Sequence, residues 1–309
     1  MKIYVLGSKI SYDTVNFLGS VSPLITPIFD YDYNELFLPD DVDVFFRYGS
    51  SLPLMVEEQS QSTTINGDRI VKNIYYINTA EAVANSANKI KMRNLFKDSG
   101  VSCPKFVFNP LEDEPYSITI DTDMYKRKSN HRRGKDMELF TAGTTVKLLP
   151  EEILVEKIDM VDEFRVFVYK NKAIEVDLKV KSEEGEEPSE EDMNRASKKY
   201  NGNISKDARN YANGWTFIPI ANPPEGLEDE AIKAIGAVGL DFGAVDLCID
   251  KSDNVYVFET NSAPSIKVAR KALLLVNCIL ADILGHAERI LAANDIRIGD
   301  LIKYTTIRA

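Results

Sequence analysis

Histidine and cysteine are scarce in this 309-residue chain. There are two histidines and three cysteines, and Cys103, Cys248 and Cys278 are scattered with no Cys-x-x-Cys pair. That scarcity excludes a Cys/His zinc centre and leaves no evident Ser/His/Asp or Cys/His nucleophile set. It suits reduced, buried thiols in a cytoplasmic setting, and each cysteine reads first as core packing. Long apolar runs are missing too. The richest stretch, ALLLVNCILADILGHAERILAA, is broken by Asn277 and Asp282, so it reads as a C-terminal helix packed on a core and not as a membrane span. The opening MKIYVLGSKI lacks the apolar run and cleavage site of a signal peptide and reads as a strand and turn. Positive charge is in deficit: the net charge of −11 argues against nucleic acid or an anionic membrane as partner. What is present, 44% apolar and 28% charged residues, is the composition of an ordinary globular protein of one large or two to three small domains. No internal repeat is visible.

Three apolar strands, IYVLG (3–7), VDVFFRYGS (42–50) and IYYIN (74–78), alternate with short connections. This pattern predicts a small parallel α/β domain with ligands at the carboxyl ends of its strands, where Ser8, Arg47 and Asn78 fall. Arg47 there suits either a substrate carboxylate or phosphate, or a surface ion pair. Thr79 then caps a helix predicted to run to Lys97 and to stop at Gly100, and Lys89 and Arg93, four apart, share one of its faces. In MYKRKSNHRRGKDMELF six cations (Lys126, Arg127, Lys128, Arg132, Arg133 and Lys135) crowd around one glycine, Gly134. A basic strand and loop of this kind can cradle phosphates, though a solvated basic loop has the same composition. Strands separated by a polar link follow over 153–180. The acidic stretch 181–199 is a predicted loop with a solvated charge run.

The most informative stretch is VDLCIDKSDNVYVFETNSAPS, residues 245–265. KSDN suits a hairpin tip, and its flanks alternate as strands do. Folding about the middle of that turn sets Asp250 opposite Val255, Cys248 opposite Val257, and Asp246 opposite Glu259. Like charges directly opposite one another repel. Asn261, two residues beyond Glu259, points to the same face. Two carboxylates and an amide oxygen on one spot suit a hard cation such as Mg²⁺, unless the hairpin simply turns its acids to water.

Taken in order, these segments closely resemble the ATP-grasp superfamily, in particular the ribosomal-protein glutamate ligases and D-alanine–D-alanine ligases. The resemblance spans about residues 74–285. GLDFGAVDLCIDKSDNVYVFETNSAPS is similar to the metal-binding end of those ligases, NKIKMRNLFKDSGVSCPKF to the helix that leads into their central domain, ILVEKIDMVDEFRVFVY to the adenine-binding hinge, and ARNYANGWTF to their Arg-x-Asn segment. Small stand-alone chains of this look occur in bacteriophages, which the resemblance suggests as a source.

The resemblance implies an α/β (α+β) ATP-grasp fold: an N-terminal α/β substrate domain (1–80), a central subdomain (81–157) and a C-terminal subdomain (158–309) carrying the metal site. It implies ATP and Mg²⁺ (or Mn²⁺) as cofactors, with Asp246, Glu259 and Asn261 on the metal. Lys126 or Lys128, with Arg93, would hold phosphate. Glu156, Lys157 and Ile158 would hold adenine, and Glu163 the ribose. Arg209, Asn210 and Arg165 would serve the transferred phosphoryl group, and Arg47 and Ser8 the substrate. The phosphate loop departs from the family in having one glycine where several are common. The implied activity joins a carboxylate to an amine through an acyl phosphate, in the cytoplasm, with a small-molecule, peptide or protein substrate and a possible homo-oligomeric state. A kinase or a non-catalytic ATP-binding module on the same fold are the rival readings.

Overall fold

The computed structural model describes residues 2–9, 11–30, 42, 44–52, 63–65, 68–70, 75–111, 113–129, 137–181, 215–266 and 268–293. The chain divides into two compact units, one of residues 1–46, 53–76 and 265–309, the other of residues 47–52 and 77–264.

In the first unit, β1 (Ile3–Gly7) and β2 (Ile25–Phe29) pair in parallel, Ile3 opposite Ile25, with α1 (Tyr12–Val21) as their crossover. This is the parallel βαβ arrangement expected from the alternation of apolar strand and connection. β3 (Val44–Tyr48) and β6 (Tyr75–Ile77) complete a sheet of order β2-β1-β3-β6. The short pair β4 (Thr63–Ile65) and β5 (Asp68–Ile70) is antiparallel. Ile3, Val5, Leu6, Val15 and Leu18 are fully buried.

The second unit begins with α2 (Ala80–Ala87) and α3 (Lys89–Asp98). The single helix expected from Thr79 to Lys97 is broken at Asn88. There the Asn88 backbone is extended, and its side chain accepts from the N–H groups of Ile90 and Lys91. A polar side chain that caps a new helix competes with continuing the old one. Strands β7 (Phe106–Phe108), β9 (Met124–Lys128), β10 (Glu138–Phe140) and β12 (Glu152–Glu156) form an antiparallel sheet of order β10-β9-β12-β7. β8 (Tyr116–Thr119) pairs with β11 (Thr145–Leu148). Ile120, Met124, Val146, Leu148 and Leu154 make their shared core.

After the link 157–159 comes a five-stranded antiparallel sheet, order β15-β14-β13-β16-β17. Its strands are β13 (Met160–Tyr169), β14 (Lys172–Lys181), β15 (Trp215–Pro219), β16 (Phe242–Asp250) and β17 (Val255–Asn261). One face is apolar: Phe164, Val166, Val168, Val176, Val245, Leu247, Ile249 and Val257 pack with Val83, Met92 and Phe96 of α2 and α3 and with Leu227, Ala231, Ala234 and Ile235 of α4 (Leu227–Val238). Gly243 allows this sheet to close, since a Cβ there would lie 2.9 Å from both the Asn261 carbonyl oxygen and Ile235 Cδ1.

The last helix, α5 (Ala269–Ala293), belongs to the first unit, where it packs on α1. The resemblance implies a place for it at the end of the 158–309 subdomain instead. Its buried Ala272, Leu275, Val276 and Ile279 recur at helical spacing, which fixes the core-facing stripe but not which core it covers. Among the described residues no helix is long and apolar enough to cross a membrane.

Candidate active site

The second face of the five-stranded sheet carries the charges. Register places Asp177, Arg165, Asp246 and Glu259 side by side on β14, β13, β16 and β17. Residues directly opposite on neighbouring strands project to the same face. Glu163 and Lys179 form the next pair along, and Ala244 and Asn261 lie on the other side of the row.

Asp246 and Glu259 therefore stand opposite one another, as expected, but the rest of the hairpin does not follow the expected register. Cys248 faces Tyr256 and Ile249 faces Val255, with a shift between Asp246 and Leu247. Phe258 is the extra residue of a β-bulge, and it moves everything beyond it by one place. The tip is held by Asp250, whose carboxylate accepts from the Ser252 and Asn254 backbones and the Asn254 side chain. These bonds hold its carboxyl below the usual carboxylate range.

Two carboxylates of this row, Asp246 and Glu259, are met by cations. Arg165 donates to both Asp246 oxygens, at 2.7 and 2.8 Å, in the bidentate geometry that suits guanidinium to carboxylate. Its guanidinium lies 4.5 Å from the Phe217 ring centre. Burial alone would lower the Arg165 pKa, but the charge and hydrogen bonds of Asp246, with Glu259 and Glu163 beyond, raise it above its ordinary range. Lys89 Nζ lies 2.5 Å from Glu259 Oε2. Asn261 Nδ2 is 3.4 Å from Asp246 Oδ2. A half-turn of that amide presents its oxygen instead.

Two further arginines approach Glu259. Arg93, on the same face of α3 as Lys89, donates to the Phe258 carbonyl at 3.3 Å, while its Nε and Nη1 have no hydrogen-bond partner. Arg127 comes from β9, and its Nε is likewise buried without a partner. Burial, then the neighbouring charge of Arg93, lowers the Arg127 pKa to about 10 against the pull of Glu259. Burial lowers that of Arg93 as well. Two neighbouring like charges with buried, unused donors form a site that an anion would complete.

Arg127 was not among the expected phosphate ligands. Lys126 pairs instead with Glu138 at 3.3 Å and Glu152 at 3.9 Å and lies over the Phe140 ring. Lys128 is exposed and projects, with Lys126 and buried Met124, from the other face of β9. The alternation was readable: Met124 is an apolar anchor, so 126 and 128 follow it and 127 turns away.

The remaining expected residues are found as follows. Glu156 ends β12 and accepts from the Lys105 N–H at 2.9 Å, next to the link carrying Lys157 and Ile158. Glu163 is buried and paired with Lys179. Arg47 is fully buried in the second unit and donates to the Leu52 carbonyl. Asn78, at φ 62°, is a structural clip: its amide oxygen accepts from Asp241 and Phe242, and its amide nitrogen donates to the Arg47 and Phe242 carbonyls. Ser8, in the first unit, donates its N–H to Ser11 Oγ at 2.8 Å. Arg209, Asn210, the loop 130–136 and the acidic stretch from 182 to 200 lie outside the described residues.

The donor set around Asp246 fits a hard divalent cation. Two carboxylates and one side-chain amide meet on adjacent strands, and the described residues hold no cage of three or more His, Cys, Asp or Glu. Mg²⁺ characteristically takes one or two carboxylates and completes its shell with phosphate oxygens and water.

No protein family model matches the sequence, and no curated protein matches it. Solved structures do match. A D-alanine–D-alanine ligase from Bacillus anthracis superposes with a TM-score of 0.54 at 12% identity, over 95% of this chain and 99% of that one. A Chryseobacterium gregarium RiPP-associated ATP-grasp ligase, solved with ADP and a leader and core peptide, gives 0.51 at 10% identity, over 91% and 97%. The ATP-grasp ligase PsnB, solved with minimal precursor, Mg and ADP, gives 0.51 at 12% identity, over 86% and 90%. At this identity the likeness speaks for architecture, and it does so over nearly the whole length of each chain: this protein has the ATP-grasp fold.

Proposed function

We propose that the chain is an ATP-dependent carboxylate–amine ligase that forms an amide through an acyl phosphate and releases ADP and phosphate. The observation that carries this reading is the row Arg165–Asp246–Glu259 on three adjacent strands, met from α3 and β9 by Lys89, Arg93 and Arg127. Acids and unused cationic donors are thereby gathered at one place, as phosphoryl transfer requires, since that chemistry depends on positioning and charge neutralisation.

In this reading Glu156, Lys157 and Ile158 hold the adenine and Glu163 the ribose. Lys89, Arg93 and Arg127 hold the phosphates, with Lys126 and Lys128 the alternatives named from sequence. Asp246, Glu259 and Asn261 would hold Mg²⁺ or Mn²⁺, which when bound supplies further neutralisation of phosphate charge. A substrate carboxylate is a poor electrophile. Once phosphorylated it has a good leaving group, and Arg165, oriented by its two bonds to Asp246, is placed to steady charge on the transferred group as an amine attacks. Arg209 and Asn210 share that task, and Ser8 is the residue named from sequence for the substrate; Arg47, fully buried and bonded to the Leu52 carbonyl, is withdrawn from that role. The substrate classes are an amino acid, a peptide or a protein C-terminus. A minimal precursor accompanies one of the structural neighbours and a leader and core peptide another.

The test is a screen of acid and amine pairs by ADP release, followed by mass spectrometry. ADP release that needs both partners, with an amide product, is expected. A phosphorylated product would indicate a kinase, and tight ATP binding with no turnover a binding module. Either would overturn the ligase.

A further inference from the structure

The carboxylates assigned to the metal already have cations of their own. Lys89 Nζ is 2.5 Å from Glu259 Oε2, and its side chain is 15% exposed; Arg165 grips both oxygens of Asp246. The two cations differ in how firmly they are held. Arg165 has two hydrogen bonds and packs against the Phe217 ring. Lys89 is on a flexible stem, and Glu259 is its single ion-pair partner among the described residues. Its place is otherwise unfavourable. It is the first residue of α3, set there by the Asn88 cap, and a cation at a helix N-terminus is opposed by the helix dipole. Arg93 and Arg127 add two more positive charges beside Glu259. A bare divalent ion entering here must displace the ammonium, strand it in a poorly hydrated place and face three guanidinium groups. An ion arriving with a polyphosphate brings the anion that the displaced lysine and the arginines lack.

We propose that Lys89 is a positioning residue that bars metal binding in the absence of nucleotide: it neutralises Glu259 in the empty site and yields the carboxylate when a polyphosphate offers it a new partner. This rests on the reading of Asp246, Glu259 and Asn261 as metal ligands. The consequence is obligatory joint binding, with nucleotide and metal each weak alone and tight together.

The test titrates Mn²⁺ by electron paramagnetic resonance against wild type, Lys89→Met, Lys89→Arg and Glu259→Gln, first without nucleotide and then with a non-hydrolysable ATP analogue. Without nucleotide, Lys89→Met is expected to bind Mn²⁺ about tenfold more tightly than wild type, the scale of losing one partly buried ion pair. Lys89→Arg should stay weak. With the analogue, the advantage of Lys89→Met should vanish. If Lys89→Met fails to fold by circular dichroism, Lys89→Gln makes the same comparison. Unchanged or weaker Mn²⁺ binding by the neutral variant overturns the proposal while the metal reading stands, provided Glu259→Gln loses nucleotide-dependent Mn²⁺. If Glu259→Gln binds Mn²⁺ with the analogue as wild type does, the metal reading fails and the proposal falls with it.

Discussion

The two faces of the five-stranded sheet are made by the same strands and obey opposite rules. On β13, Phe164 and Val166 enter the apolar core while Glu163 and Arg165 turn the other way, into a field of charge. The apolar face loses little when emptied of ligand, because its members satisfy one another. The charged face is met by Arg93 of α3 and Arg127 of β9, both with donors unused. Stability resides on the first face; the second spends some of it to be ready for an anion.

Breaking the charged face where it serves chemistry should have the largest effect. Glu259→Gln should lower turnover by about a thousandfold, roughly 4 kcal/mol of barrier, while the chain still folds, with a fall in melting temperature for the Lys89 it leaves unpaired; steady-state ADP release and calorimetry test both halves. Breaking the apolar face should do the reverse. Phe164→Ala should remove about 3–4 kcal/mol of stability in a urea titration while the folded fraction still binds nucleotide. Arg127→Gln sharpens the contrast, because here function and stability should part. Folding disfavours the charged form of Arg127, so a penalty of about 3 kcal/mol holds throughout the range below pH 10 and fades as pH rises towards the unfolded value. The variant should therefore melt at a higher temperature at pH 7 without ligand and bind ATP more weakly. Raising the pH of wild type from 7 to 10 should begin to close the gap in melting temperature. The smallest effect belongs to Lys126→Gln. It removes a partly exposed pair with Glu138, worth under about 1 kcal/mol, and should leave nucleotide affinity near wild type. A large loss of affinity there would move the phosphate site to the other face of β9.

How far the sequence revealed these faces depended on how local the cause was. The opposition of Asp246 and Glu259 followed from turn chemistry and alternation, but only because the bulge at Phe258 offsets a tip register that lies one residue away from the expected one. The pairing of Cys248 did not, because a bulge at Phe258 leaves no compositional mark in an alternating strand. The break at Asn88 was legible in hindsight as a capping residue, yet the apolar pattern on both sides ran through it. Arg127 was hidden among cations of the same kind. Charge marked the strand, and only the direction of each side chain, set by Met124 in the core, distinguished the one that approaches Glu259. The place of α5 in the first unit could not be read at all, since an apolar stripe says that a helix is covered and not by what.

The bulge at Phe258 has an engineering corollary. It separates the phase of the hairpin tip from the phase of the charged row, so the two ends of one ladder keep independent register. The exposed tip, Lys251 to Asn254, is therefore a natural docking point for a reporter: a short epitope or fluorophore spliced between Ser252 and Asp253 would ride on the protein without rotating Glu259 out of line. Deleting Phe258 itself would remove the bulge and set Glu259 directly after Val257, still opposite Asp246, so the two acids should keep facing one another without the residue that now kinks the strand.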